Sequence, residues 1–113
     1  MPLAKIVHPV FAPKYPQLED DLAREWLNPQ PNATEPVIIE DPDKDYGDEV
    51  ISIYVIWSRW TGLDEIERSE VIASACERAR GRGYMLRVTS AAGLTPDEAE
   101  QAGVKYAPLE TAA

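Results

Sequence analysis

The chain has 113 residues, in which 20 Asp and Glu face 11 Lys and Arg, a formal net charge of −9. That balance argues against a dominant nucleic-acid partner, because each phosphate contact wants a Lys or Arg. The length suits one domain that buries roughly two-thirds of its unfolded surface, and the 44% hydrophobic fraction is that of an ordinary globular protein. One cysteine excludes an internal disulfide. There is no apolar run of signal-peptide or membrane-span length, so the expectation is a soluble, cytoplasmic protein.

Residues 1–16 carry four prolines, each of which pushes its predecessor toward extended geometry. They read as an extended or disordered arm. Its apolar residues Ile6, Val7, Val10 and Phe11 could alternatively dock on the domain or on a partner. The domain itself is expected over 17–103, with a tail over 104–113.

The first helix is predicted over Gln17–Leu27. Leu18, Leu22 and Trp26 recur every four residues, and Glu19, Asp20 and Asp21 sit at the positive end of the helix dipole. Pro29 closes it. A loop rich in Pro and Asn then leads to a short strand at Val37-Ile38-Ile39. Glu40–Glu49 follows as an acidic hairpin loop. Its Asp41, Asp43 and Asp45 resemble the start of a calcium loop, but the glycine falls at the seventh place and Ser52 stands where the closing Glu belongs. The loop therefore reads as a solvated tip. Glu40 reads as a surface position, where substitution costs under about 0.5 kcal/mol.

Val50–Trp57, VISIYVIW, is the strand around which the chain is organised. Ile51, Ile53, Val55 and Trp57 fill one face; on the other, Tyr54 and Ile56 are interrupted only by Ser52. A near-continuous apolar run bounded by turn signals predicts a central strand covered on much of both faces. The turn Thr61-Gly62 follows, then a helix with Asp64 as its cap and Glu67 as the reciprocal member of a capping box. Ile66, Ile72, Ala75, Cys76 and Ala79 form its predicted apolar stripe, with Glu65, Arg68 and Glu77 directed outward. Arg78 and Arg80 complement the dipole in the last turn, and Gly81 ends the helix.

A third strand is predicted over Tyr84–Thr89 from its Tyr, Val and Thr content. Thr95-Pro96-Asp97-Glu98 opens a last short helix that Gly103 ends. The order is helix, strand, strand, helix, strand, helix: an α+β fold with a three-stranded sheet and its helices on one face.

In this order the chain resembles the BolA-like proteins, whose fold is similar to type II KH domains. Trp60-x-Gly62-Leu63 followed by Arg68-x-x-Val71-Ile72 looks like that family's aromatic-x-Gly-Leu turn and the start of its central helix. Met85-Leu86-Arg87-Val88 and Leu94-Thr95-Pro96-Asp97-Glu98 look like its last strand and closing helix. The resemblance runs from about Leu18 to Gly103. Ser69 and Glu70 depart from the family's Arg-His-Arg element, Tyr84 stands at the histidine before the last strand, and the hairpin loop has no Cys or His. His8 is the one histidine. The resemblance thus implies a fold without the iron–sulfur cluster that BolA proteins share with monothiol glutaredoxins.

Cys76 lies on the predicted buried stripe and reads as a small hydrophobe, not a nucleophile. Nothing suggests catalytic residues, a metal site or a cofactor. Arg78, Arg80, Arg82 and Arg87 form the basic cluster of an acidic chain, with Tyr84 beside it. Trp60, next to Arg59 in a turn, is expected to be partly exposed and to serve as an interface anchor. A helix of about sixteen residues holds these two ends about 24 Å apart. The basic end is the favoured one, since its charge would orient an acidic partner. The expected function is a small non-enzymatic adaptor or regulatory domain that binds another protein. The alternative is a nucleic-acid-binding module that uses Arg78–Arg87, with Tyr84 and Trp60 as stacking surfaces. No Gly-x-x-Gly loop of the KH kind lies between two helices.

Overall fold

The computed structural model describes residues 14–42 and 50–104. Its elements are α1 (Pro16–Leu27), β1 (Val37–Pro42), β2 (Ile51–Ile56), a 3-10 turn (Ser58–Trp60), α2 (Glu65–Arg80), the single-turn α3 (Arg82–Met85), β3 (Val88–Leu94) and α4 (Pro96–Gln101). The expected α+β architecture is present. β2 is the central strand of a three-stranded sheet ordered β1-β2-β3. It pairs antiparallel with β1, Ile39 opposite Tyr54, and parallel with β3, Ala92 beside Tyr54. The sheet is therefore mixed. Most of residues 1–16, the hairpin tip and most of the C-terminal tail lie outside the described residues.

Strand alternation, broken once in the β2–β3 register where Thr89 is skipped, gives the sheet two faces. Ile38, Ile51, Ile53, Val55, Val88 and Ala91 face α1 and α2 and join one core with Leu22, Trp26, Ile72, Ala75 and Cys76. Ile53, Val55, Ile72 and Cys76 are fully buried within it. Tyr15, just before α1, packs against this core and donates to Glu67 Oε2 at 2.6 Å. Lys14 reaches the same carboxylate at 2.8 Å. These two bonds, from Lys14 first and then Tyr15, hold the Glu67 carboxyl down at about 2.

α2 starts as expected. Asp64 accepts from Glu67 N and the Glu67 side chain accepts from Asp64 N, the two halves of a capping box. Gly81 ends it at a φ of 90°, a backbone conformation that an L side chain resists. The buried stripe differs from the expectation. It runs Arg68, Val71, Ile72, Ala75, Cys76, while Ile66 is 71% exposed. At about 100° per residue, Ile66 sits about 120° around the helix from Ile72 and cannot share its face. Arg68, expected outward, takes the inner place.

The third strand is also displaced. Tyr84 and Met85 lie in α3, and pairing begins only at Val88. Local hydrogen bonds explain this: Met85 N, Leu86 N and Arg87 N donate to Gly81 O, Arg82 O and Tyr84 O, keeping the chain coiled past Gly81. The strand that forms, VTSAAGL, is poor in strand-forming residues. It exists because β2 offers a ladder and because α2 packs close enough to demand small residues, a tertiary effect that overrides propensity. Gly93 shows the constraint. A Cβ there would lie 2.9 Å from Arg68 Cβ and from two ring atoms of Trp60. Thr95 then caps α4 through the capping box with Glu98 that the sequence predicts.

Candidate functional site

The basic end of α2 is built as the sequence suggests but is already occupied by the chain's own carboxylates. Arg78 donates to Asp20 Oδ1 at 2.5 Å and lies 3.6 Å from Glu19 of α1. Arg80 grips Glu40 with two bonds, Nη2 to Oε1 at 2.8 Å and Nε to Oε2 at 3.3 Å. Tyr84 donates its hydroxyl to the same Glu40 Oε2, and Trp26 Nε1 donates to Oε1 at 3.2 Å. Glu40 therefore ties α1, β1, α2 and α3 together. Arg82 and Arg87 are exposed.

Charge and burial compete in this cluster. Burial pushes the Glu40 carboxyl up, but hydrogen bonds from Arg80 and Tyr84 outweigh it and hold the group below its ordinary value. Burial and the Glu40 charge together raise the Tyr84 phenol. Burial, and then the Glu40 charge, push the Cys76 thiol up to about 11. Cys76 is thus a buried, protonated thiol, as its place on the helix stripe implies, and a poor nucleophile.

The Glu40 cluster corrects the reading of that residue as a bland surface position. Its alternation places it on the helix-facing side of β1, next to Ile38, where a half-buried carboxylate meets four donors. Glu40→Ala leaves those donors unmatched and is expected to lower stability by about 1–3 kcal/mol, the usual cost of orphaned buried polar groups, measured by urea unfolding. Because the folded pKa is depressed, the stabilisation is present above the unfolded value, ordinarily 4.5, and is lost as pH falls through the folded one. The gap between parent and Glu40→Gln should narrow as unfolding is repeated at progressively lower pH below that value. A gap that stays constant would show that the carboxylate charge carries no stability.

Trp60 corrects the expectation at the other end. The 3-10 turn aims its ring inward, and it is completely buried. Its Nε1 donates to Val55 O at 3.0 Å, and the ring meets Trp57 edge-on at 5.2 Å between centroids. Arg59, stacked 4.8 Å from the Trp57 ring and paired with Asp21, covers the outside of the turn. Trp60 is core, so it offers no surface to a partner or a base.

Arg68, expected to point outward, is buried as well. Its guanidinium is buried, donates to Gly93 O at 3.1 Å and pairs with Glu98 at 2.5 Å, tying α4 to α2. Ser69 Oγ donates to Ala91 O at 2.6 Å. Leu94 O accepts from Trp57 N on the β2 side. Carbonyls alternate along a strand, so those of Ala91 and Gly93 point to the opposite edge, and α2 side chains occupy that edge of β3. The signal for this role was the Arg68-x-x-Val71-Ile72 spacing, which puts Arg68 on the buried stripe.

The sheet's second face lies outside the core that α1 and α2 close. Val37 and Ile39 of β1, Tyr54 and Ile56 of β2, and Ala92 and Leu94 of β3 lie side by side there by register. None belongs to the core cluster. Ile56 is fully buried and the other five are half-buried. At one end of this face the residues turn polar, with Asp41, Ser52 and Ser90 in line. Among the described residues no hydrogen bond or ion pair ties a side chain of this face to another element. Among them, too, no group of three His, Cys, Asp or Glu is arranged to hold a metal, and no helix is long and apolar enough to cross a membrane. Comparison with protein-family models, with curated proteins and with solved structures finds no match to this chain.

Proposed function

We propose that the chain is a small non-enzymatic adaptor or regulatory domain that binds another protein, on a BolA-like, type II KH-like frame and without an iron–sulfur cluster. The observation that carries this reading is the apolar sheet face of Val37, Ile39, Tyr54 and Leu94, which contributes nothing to the core that α1 and α2 close. These four side chains are half-buried and keep part of their surface accessible, and contiguous accessible apolar surface is where protein partners bind. The BolA-like frame draws support from where its motifs fall. Trp60-x-Gly62-Leu63 forms the turn into α2, and Leu94-Thr95-Pro96 forms the turn from β3 into α4. Cys76, the chain's one thiol, is buried and held protonated, which weighs against thiol-based catalysis.

The nucleic-acid alternative loses weight for a specific reason. Arg78 and Arg80 spend their charge on Asp20 and Glu40, and Trp60 is unavailable for stacking. Affinity purification of the tagged full-length chain from its own host, beside Ile39→Glu and Arg82→Glu variants, tests the reading. The expected result is a protein partner that survives Arg82→Glu and is lost with Ile39→Glu. Co-purified nucleic acid that Arg82→Glu releases would overturn it.

A further inference from the structure

β1 is an edge strand whose outer side is unpaired. The sheet order β1-β2-β3 gives it a neighbour on one side only. On β2, Ile51 N and Trp57 N donate to Arg87 O and Leu94 O. The odd-numbered residues of β2 thus address β3, and Ser52, Tyr54 and Ile56 address β1. Their partners there are Asp41, Ile39 and Val37. The N–H and C=O groups of Ile38 and Glu40, which alternate with these, point away from the sheet. Among the described residues none of these four groups has a hydrogen-bond partner. Residues 28–34, which lead toward β1, are exposed and make no hydrogen bond to it.

The fold treats its two sheet edges differently. At the β3 edge, Ser69 Oγ and Arg68 Nη1 donate to Ala91 O and Gly93 O, so side chains of α2 cover it. A free edge is a template for another extended chain, and folds guard against this by cover, charge or proline. On β1 the prolines stand only at the ends, Pro36 before the strand and Pro42 at its last position. Neither has an N–H to offer. Between them Val37–Asp41 extends about 13 Å, four steps at about 3.3 Å. The Glu40 side chain does not close this stretch, because its carboxylate turns to Trp26, Arg80 and Tyr84 on the helix side.

Length selects the occupant. The stretch takes one short strand. A second copy of this chain paired through it would share little more than that strip, whereas a stable dimer buries about 800 Å² per partner. Pairing would also bring together two chains of net charge −9. We infer that the outer edge of β1 takes up an extended segment of the partner protein as a fourth strand, hydrogen-bonded to Ile38 and Glu40, with apolar side chains beside Val37 and Ile39. The inference rests on the adaptor reading above and names how the partner meets the chain. In strand addition the main-chain bonds supply affinity and the alternate side chains supply specificity. A β-branched or aromatic residue beside Ile39 makes the cross-strand pair that suits it.

The test uses the full-length, isotope-labelled chain and two synthetic peptides. One alternates Val and Thr between Lys ends; the other is the same peptide N-methylated at every amide, which keeps the charge and side chains and loses every donor. In the free protein the Ile38 and Glu40 amides should exchange with solvent at least about tenfold faster than the Ile39 amide, which bonds to β2. The first peptide should shift the Ile38 and Glu40 amides and slow their exchange at least about tenfold, and the methylated one should do neither. Ile38→Pro removes the outward N–H and Ile38→Ala keeps it, while both lose the side chain. With urea unfolding confirming that both variants fold, Ile38→Pro should bind the peptide at least about tenfold more weakly than Ile38→Ala. Ile38 and Glu40 amides as protected as that of Ile39 in the free protein would overturn the inference, since the chain itself would then fill the edge. So would equal binding by the two variants, equal binding of the two peptides, or no shift at millimolar peptide. If the purified natural partner is lost with Ile39→Glu but kept equally by Ile38→Pro and Ile38→Ala, the adaptor reading stands and strand addition fails. If no partner depends on Ile39 or on the Ile38 N–H, both fail.

Discussion

Trp60→Ala should destabilise the domain by about 3–5 kcal/mol, the range for removing a large aromatic side chain from a core, and a domain of this size has only about 5–15 kcal/mol to lose. The ring is fully buried, lies edge-on against Trp57 and donates to Val55 O. It also forms the floor against which Gly93 lies, 2.9 Å from where a Cβ would stand. Emptying the site thus loosens the 3-10 turn, the β2–β3 ladder and the N-terminal half of α2 together. Thermal or urea unfolding measures the loss, and Trp60→Phe should recover a large part of it by restoring volume without the indole hydrogen bond. A folded Trp60→Ala protein with unchanged stability and a lost partner would instead make the turn an interface.

How far the sequence reveals the molecule depends on whether a residue's environment is local. The capping boxes Asp64–Glu67 and Thr95–Glu98 are local bonds between residues three apart, and both are where sequence reasoning puts them. β2 was legible because a run such as VISIYVIW fits few other environments. β3 was not, because Thr89, Ser90, Ala91, Ala92 and Gly93 take strand geometry only through contact with β2 and the closeness of α2. The site residues divide in the same way. That Arg78 and Arg80 gather at one helix end can be read from spacing. That Asp20 and Glu40 arrive there to neutralise them, across 58 and 40 positions of chain, cannot. Trp60 and Arg68 share one error. Their chemical types suggest an exposed turn aromatic and an outward cation, while the fold places both against Gly93.

Ile53→Ala and Ile39→Ala remove similar groups from adjacent strands and should differ sharply in cost. Ile53 is fully buried on the helix-facing side of β2 and touches the core that α1 and α2 close. Its truncation should cost about 2–5 kcal/mol, transfer energy plus the cavity left behind. Ile39 lies on the opposite face, half-buried and outside that core. Water or neighbouring side chains can occupy the space it vacates, so the cost should stay near 1 kcal/mol, the centre of ordinary substitutions. Urea midpoints measured on both variants with unchanged slopes give the comparison directly. Equal costs would mean that the second face is sealed in the isolated chain, leaving no apolar surface for a partner. A large difference, joined to loss of the partner on Ile39→Glu but not on a Glu77→Lys change at the exposed side of α2, would separate the face that holds the fold together from the face that serves another protein.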